Sequence, residues 1–289
     1  MSCSELSAAA LEELAGTATR ARRFLLVEVR ESWGRDVVAD TALPDTVTER
    51  LTRWAGETGG DGRVLFVRKP ERRDAAKTAV FVAQVGEHGG KLARMELDRI
   101  EDLAHADLDP GGPEPVTLPM LLVCTHGRRD ACCARLGVPL YDALRRHVEP
   151  EAVWQCSHLG GHRFAGNVLV LPQGVMLGRV RPVHAARVAA QLADNEIPLG
   201  HYRGRVIHEP AVQAAELSIR ARLGAPQLAA LRYLGTRDGG HHVFETPLGE
   251  VTLAVDELAG PLVPASCGAV PEPTKRFVPR WESASSDDG

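Results

Sequence analysis

Two short segments of the sequence hold most of the side chains that could bind a soft metal. The first runs from Cys124 to Cys133, with eight residues between the cysteines, and the second holds His158 and His162, with three residues between them. Two thiolates and two imidazoles suit Zn²⁺ or an iron–sulfur cluster and suit Mg²⁺ or Ca²⁺ poorly. Zinc fingers usually place their cysteines about two to four residues apart, whereas a longer loop can span two irons. Spacing and ligand chemistry alone leave zinc and a cluster equally favoured.

The neighbouring cysteines have simpler interpretations. Cys132 precedes the proposed ligand, and consecutive side chains rarely point to one metal, so we prefer Cys133 as the ligand and expect Cys132 to be a small packing residue. Cys156 lies two residues before His158, on the same strand face if the strand extends that far. It could be a spare ligand or lie beneath a metal centre, but a buried core cysteine is the favoured interpretation.

The elements around these segments predict an α/β unit. Residues 118–124 form a continuous apolar run that ends at Cys124, which is typical of a buried strand. We expect a helix over 139–148, strands over 152–156, 167–171 and 174–180, and a helix over 182–193. Strand, helix, strand, hairpin and helix is the order of a small thioredoxin-like unit. Both segments follow a predicted strand and can meet at one sheet edge, and Gly160 and Gly161 allow the histidine segment to turn tightly.

The residues of the two segments resemble a known family. The pattern C-x8-C-x24-H-x-G-G-H, with flanking RDACC and HRFA, is similar to the sucrase/ferredoxin-like family of thioredoxin-like ferredoxins. The match is strong over about 118–195. The resemblance implies a [2Fe–2S] cluster with Cys124 and Cys133 as thiolate ligands of one iron, and His158 and His162 as imidazole ligands of the other, reducible iron. It favours a cluster over zinc.

We therefore predict an α/β protein in five parts. These are a flexible N-terminus (1–20), a divergent α/β N-terminal domain (21–110), a thioredoxin-like ferredoxin domain (118–203), a small α+β C-terminal extension (205–270) and a disordered tail (271–289). The boundary lies in the Pro- and Gly-rich residues 107–117. No internal repeat of fixed period is visible. Whether the N-terminal domain is a second thioredoxin-like half or a docking domain stays open.

The proposed ligand set has a definite redox character. Two ferric ions, two sulfides and two thiolates sum to a net charge near zero, against about −2 with four thiolates, so a Cys/His cluster accepts an electron more readily. Each imidazole keeps an outward N–H, which couples electron and proton uptake. Basic side chains near the segments could hydrogen-bond sulfide or dock an acidic redox partner, or they could be solvated loop residues; these are His126, Arg128, Arg129, Arg135 and Arg163.

Composition restricts the surroundings and the partners. The formal charge is −4, which gives no attraction to nucleic acid or anionic membranes. No signal-peptide profile and no membrane span is visible, so we expect a cytoplasmic protein. In a reducing compartment, six cysteines indicate metal or redox chemistry before disulfides. The expected partners are redox donor and acceptor proteins that the sequence does not identify, and the oligomeric state is open.

Other functional classes fit less well. A structural zinc-binding interaction protein is the main alternative to an electron carrier. A thiol–disulfide oxidoreductase is disfavoured because no C-x-x-C is present. Sucrase activity is not supported, since hydrolysis needs two carboxylates flanking a pocket and no aromatic-rich sugar platform accompanies the scattered acids. We expect a non-catalytic electron carrier.

Overall fold

The computed structural model describes residues 1–112 and 114–281 of the chain. The helices are α1 (Cys3–Ala9), α2 (Asp45–Glu57), α3 (Ala131–Leu144), α4 (Ala185–Ala193) and α5 (Pro210–Leu223). The first strands are β1 (Arg23–Glu28), β2 (Gly62–Arg68), β3 (Thr78–Gly86), β4 (Gly89–Leu97), β5 (Glu114–Pro115), β6 (Met120–Cys124) and β7 (Val153–Cys156). The later strands are β8 (Val168–Leu171), β9 (Val175–Leu177), β10 (Tyr202–Arg205), β11 (Arg232–Arg237), β12 (His241–Thr246), β13 (Gly249–Pro264) and β14 (Pro271–Trp281).

One ten-stranded sheet contains two units of the same topology. Its order is β10-β9-β8-β6-β7-β2-β1-β3-β4-β5. In the second unit β6 and β7 are parallel, β8 is antiparallel to β6, and β9 is antiparallel to β8. In the first unit β1, β2, β3 and β4 are paired in the same way. The units meet where β2 and β7 pair antiparallel, with Val67 opposite Cys156. The predicted α/β, thioredoxin-like fold is confirmed, and the N-terminal unit repeats its strand arrangement.

A shared core joins the two units. Phe24 and Leu26 of β1 belong to the same buried cluster as Leu122 of β6 and Trp154 of β7. The other face of β1 packs on α2, whose Val47, Leu51 and Trp54 are buried at the spacing that predicts a helix. Strand β5 lies inside the predicted boundary at 107–117 and pairs with β4. The boundary is therefore a connection within one sheet rather than a gap between separate cores.

The ends of the chain differ from the prediction. Residues 1–20 were expected to be flexible, but α1 buries Cys3, Ser4 and Ser7, and Glu12 is buried beyond it. The tail was expected to be disordered from 271, yet 271–281 form β14 on β13 in a second, four-stranded sheet. Residues 282–289 of that tail lie outside the described residues. Remote partners hold both ends, and a local composition rule does not detect such partners.

Helix α3 begins at Ala131, not at Pro139 as predicted. Asp130 caps it by accepting a hydrogen bond from the Cys132 amide at 2.8 Å, and Pro139 lies inside the helix. Cys132 and Cys133 therefore occupy its first turn. No helix among the described residues is long and apolar enough to cross a membrane.

Candidate metal centre

Two loops at one end of β6 and β7 bring the predicted ligands together. Cys124 is the last residue of β6, and Cys133 lies in the first turn of α3. His158 and His162 follow β7, which pairs in parallel with β6 and places Cys156 beside Cys124. Because parallel neighbouring strands end at the same edge, the cysteine loop and the histidine loop open side by side.

The donor atoms of the four residues form one compact group. Ligand atoms of Cys124, Cys133 and His158 all lie within 4.8 Å of one another. His162 Nδ1 lies 3.8 Å from Cys133 Sγ, and the two imidazole rings stack with centroids 4.1 Å apart. Both cysteines are buried, whereas both histidines are half-buried. The centre has its thiols in the core and its imidazoles toward the surface.

The electrostatics of this group favour the metal-binding forms of Cys124 and His162 and disfavour the thiolate form of Cys133. A hydrogen bond with Cys133 lowers the pKa of the Cys124 thiol well below its usual value, although burial opposes the shift. The same hydrogen bond raises the pKa of the Cys133 thiol. Burial and the neighbouring His158 lower the pKa of His162 to about 4. The centre thus holds a neutral His162 and two thiols of which Cys124 is the more easily ionised.

One buried nitrogen supports a bound group at this position. His158 Nδ1 is buried and has no hydrogen-bond partner among the described residues. A buried polar atom without a partner costs free energy, and a metal or ligand bound at this nitrogen would remove that cost. Two thiols, a second imidazole and this open nitrogen are a donor set that fits a [2Fe–2S] cluster or Zn²⁺.

Side chains of two distant strands and one nearby asparagine hold the histidine loop in place. Arg63 of β2 donates hydrogen bonds to the carbonyl oxygens of His158 and Leu159, at 2.8 and 2.9 Å. Arg203 of β10 donates to the Gly160 carbonyl oxygen at 2.9 Å. Asn167 donates to the Gly161 carbonyl oxygen at 3.0 Å. Four consecutive carbonyl groups are therefore occupied by side-chain donors, which orients the two imidazoles.

The model of the sucrase/ferredoxin-like family matches residues 14–204. The chain belongs to this family. It is similar to the "Altered inheritance of mitochondria protein 32" of two species: it is 29% identical over 107 residues to that of Eremothecium gossypii and 31% identical over 97 residues to that of Debaryomyces hansenii. These matches cover 32% and 30% of this chain, and 34% and 36% of the relatives. The chain thus spans about a third of these curated relatives.

A solved structure also shows similarity. It is a cysteine-to-serine variant of the thioredoxin-like [2Fe–2S] ferredoxin from Aquifex aeolicus, with 17% identity, a TM-score of 0.26, and coverage of 29% of this chain and 97% of that chain. One prediction is wrong in light of the relatives. A cytoplasmic location was expected, but the matching relatives are named for the inheritance of mitochondria.

In this sucrase/ferredoxin-like chain, Cys132 and Cys156 lie outside the group of predicted ligands. Cys156 is wholly buried in the core beside Cys124. Cys132 points to the other side of α3 and contacts Cys3, Ser4 and Cys267. The placement agrees with the preference for Cys133 as the ligand, but Cys132 belongs to a second polar group and does more than fill space.

The basic residues near the loops divide into structural and exposed ones. His126 is buried, and its Nε2 lies 2.8 Å from the Gly34 carbonyl oxygen. Arg163 pairs with Glu12 at 2.8 Å, and Arg135 pairs with Glu5 at 2.9 Å. Arg128 is exposed and Arg129 is half-buried. The charge of Arg129 acts on His162, whereas His126, Arg135 and Arg163 have partners elsewhere in the fold.

The sequence did not reveal Arg63, Arg203 and Asn167 as parts of the site. Arg203 is almost fully buried, and burial lowers its pKa to about 9. An arginine in a short strand belongs to no motif that the sequence would reveal. The usable signal was the pair of charged residues Arg203 and Arg205, which the structure buries in β10.

Proposed function

We propose that this chain binds one [2Fe–2S] cluster through Cys124, Cys133, His158 and His162 and works as an electron-transfer protein. The observation that supports the proposal is the convergence of two buried thiols and two imidazoles, with His158 Nδ1 buried and unpartnered. Such a set matches the soft and borderline donors that iron–sulfur centres use. When bound, the cluster supplies one-electron transfer.

The protein provides the charge balance for this role. Two thiolates and two neutral imidazoles contribute a total charge of about −2 to the centre, less than four thiolates would contribute, and this favours an electron acceptor of higher potential. The lowered pKa of His162 keeps its imidazole neutral and available as a ligand. Arg63 lies behind the histidine loop, so its positive charge favours a reduced centre.

The exposure of the four ligands suggests a direction for electrons and protons. Cys124 and Cys133 are sealed in the core, whereas His158 and His162 are half-buried at the surface. The imidazole side is then the side nearest to a redox partner. Each imidazole can also exchange the proton on its free nitrogen with solvent, so electron uptake would be coupled to proton uptake. That the chain takes electrons from a donor protein and passes them to an acceptor protein is also part of this proposal.

Zinc is the second candidate, and one observation favours it. The ligand atoms of Cys124, Cys133 and His158 lie within 4.8 Å of one another, a spacing that a single ion also satisfies. A structural zinc module would then replace the electron carrier. Because Zn²⁺ has no redox chemistry, the two candidates differ in colour, sulfide content and reducibility.

A matched pair of cysteine variants tests the proposal. The full chain is reconstituted anaerobically with iron and sulfide, and bound iron and acid-labile sulfide are measured. We expect Cys124→Ser to lose both, whereas Cys156→Ser, which changes the neighbouring buried cysteine outside the group, keeps them. Wild-type protein that binds zinc but neither iron nor sulfide would replace the proposal with the zinc candidate. An unaffected cluster in Cys124→Ser would refute the ligand assignment.

A histidine variant tests the redox role. His162→Cys should retain a cluster but add a thiolate charge, so the reduction potential should fall. The dependence of the potential on pH should weaken as well, because one titrating imidazole is lost. The potential is measured by spectroelectrochemical titration between pH 6 and 10, a range chosen to include the histidine region. An unchanged potential would contradict ligation by His162.

A further inference from the structure

A second group of metal-binding side chains lies on the other side of the first turn of α3. It consists of Cys3, Asp130, Cys132 and Cys267, whose ligand atoms all lie within 4.8 Å of one another. We propose that these four residues bind one Zn²⁺ ion, separate from the [2Fe–2S] centre. The proposal uses none of the four ligands of that centre and does not depend on the function proposed for it.

The distances between the sulfur atoms fit a single tetrahedral ion. Cys132 Sγ lies 3.3 Å from Cys267 Sγ, and Cys3 Sγ lies 3.6 Å from both. A tetrahedral zinc with Zn–S bonds of about 2.3 Å holds its sulfurs roughly 3.8 Å apart. The three thiols form a nearly equilateral triangle, so a small outward movement of the sulfur atoms places them around one ion.

Asp130 supplies the fourth donor. Its Oδ1 lies 3.3 Å from Cys267 Sγ and 3.9 Å from Cys3 Sγ, whereas a zinc with one oxygen ligand places S and O roughly 3.5 Å apart. The carboxylate is fixed by two backbone donors, the amides of Cys132 and Cys267, each at 2.8 Å. A carboxylate held in this way is already oriented toward the thiols.

The surroundings suit an ion bound to thiolates. The Ser4 hydroxyl donates a hydrogen bond to Cys132 Sγ at 3.3 Å, as donors around metal-bound sulfur commonly do. The group lies at the N-terminus of α3, where the helix dipole stabilises negative charge. Cys3, Asp130 and Cys132 are buried, while Cys267 is exposed and gives the ion a route of entry.

The number and placement of the thiols favour an ion over a disulfide. A disulfide between any two of them leaves the third thiol buried against it, whereas one ion uses all three. The residues also come from three remote segments, since Cys3 and Cys267 are separated by 264 positions. A single ion would therefore fasten α1 and the β13–β14 hairpin to the helix that carries Cys133.

Zinc analysis of the full chain tests this proposal. Protein purified under reducing conditions is treated with ZnCl₂, passed over a desalting column and analysed for zinc by mass spectrometry. We expect Cys267→Ala, a change at an exposed position that leaves the core intact, to bind about one zinc fewer per chain than wild type. Cys156→Ala is the control and should keep its zinc. Cobalt substitution adds a readout, since thiolate-to-cobalt charge-transfer absorption should appear in wild type and weaken in Cys267→Ala.

A further variant separates this site from the first one. Cys124→Ser should keep the zinc while losing iron and sulfide, whereas Cys267→Ala should keep iron and sulfide while losing the zinc. Zinc that is lost only in Cys124→Ser would place it at the first centre and overturn the proposal. So would a zinc content in Cys267→Ala equal to that of wild type, no tightly bound zinc in wild type, or a Cys132–Cys267 disulfide that persists in protein purified under reducing conditions.

Discussion

The two units of the large sheet have the same topology, but the polar groups at the ends of their corresponding strands, β1 and β6, are arranged differently. Strand β1 ends at Glu28 and strand β6 ends at Cys124, and each is paired in parallel with the next strand of its unit. Glu28 is buried and bound by Arg30 and Arg72, each at 3.1 Å, and by the Ala79 amide at 2.9 Å. The first unit satisfies its own buried charge.

At the equivalent end of β6, potential metal ligands lie close together instead of forming ion pairs. Cys124, Cys133 and two imidazoles converge there, and His158 Nδ1 has no hydrogen-bond partner among the described residues. The comparison shows that topology alone does not make the site. The identity of a few side chains after two strands decides whether the strand end is a closed ion-pair network or an open set of ligands.

The largest effect on stability is expected from removing the buried carboxylate of Glu28 in the first unit. Glu28→Ala leaves Arg30, Arg72 and the Ala79 amide without their carboxylate and should lower the free energy of unfolding by about 4 kcal/mol. Urea unfolding measures this loss. Glu245→Ala is the control: its ion pair with Arg232 is about half-exposed, so the change should cost less than about 1 kcal/mol. Equal losses in the two variants would mean that Glu28 is not the centre of its network.

The second prediction concerns a buried carboxylate on α5. Burial would raise the pKa of Glu216, but the positive charges of Arg220 and Arg205 outweigh it and lower the pKa to about 2. The stabilisation is therefore present above pH 4.5, the usual value for a glutamate, and is lost as the pH falls toward 2. Glu216→Gln should cost about 3 kcal/mol at pH 7 and clearly less at pH 3.

Unfolding at the two pH values checks this prediction. Glu209→Gln serves as control, because Glu209 lies just before the same helix but is exposed, so its replacement should change stability little. A cost of Glu216→Gln that is the same at pH 3 and pH 7 would contradict the charge network.

The third prediction concerns the backbone of the histidine loop. Gly161 has φ +72°, and an added Cβ would lie 2.6 Å from Arg203 Nη2 and 2.8 Å from Phe164 Cδ2. Gly161→Ala should cost about 2 kcal/mol and slow the assembly of the metal centre. Gly59→Ala is the matched control, because Gly59 has φ +62° and open space around it, so only about 1 kcal/mol of backbone strain is expected. Equal costs would show that the contacts with Arg203 and Phe164 are unimportant.

The smallest effect is expected for a conservative change behind the loop. Arg63→Lys keeps the charge but cannot donate to the His158 and Leu159 carbonyl oxygens as a fork. We expect the reconstituted centre to lose iron to a chelator about tenfold faster, which corresponds to one lost hydrogen bond. Arg22→Lys, at an exposed arginine 4.0 Å from Asp61, should leave the rate unchanged. An unchanged rate of iron loss in Arg63→Lys would mean that Arg63 does not stabilise the metal centre.

Much of the fold follows from local patterns. Val47, Leu51 and Trp54 recur at helical spacing within α2, and the apolar run before Cys124 predicts β6. Both signals depend on burial of one continuous segment, which the sequence displays directly. The loops with the predicted ligands are also where the sequence places them.

The parts that local patterns miss depend on long-range contacts. The start of α3 was misplaced because Asp130 acts as a cap and Pro139 is tolerated inside a helix. Arg63 and Arg203 act on the histidine loop from distant strands, and no motif marks them. The sequence left open whether the N-terminal domain is a second thioredoxin-like half, because the two sheet units share strand order and not residue type.

The central claim is that two thiolates and two imidazoles bind a reducible [2Fe–2S] cluster. EPR of the dithionite-reduced, anaerobically purified full chain, grown with ¹⁵N-histidine, tests it most directly. The account predicts a signal from a one-electron-reduced cluster with hyperfine couplings from two histidine nitrogens, both absent in Cys124→Ser. An EPR-silent protein without iron or sulfide after reconstitution, or a cluster without histidine couplings, would contradict it.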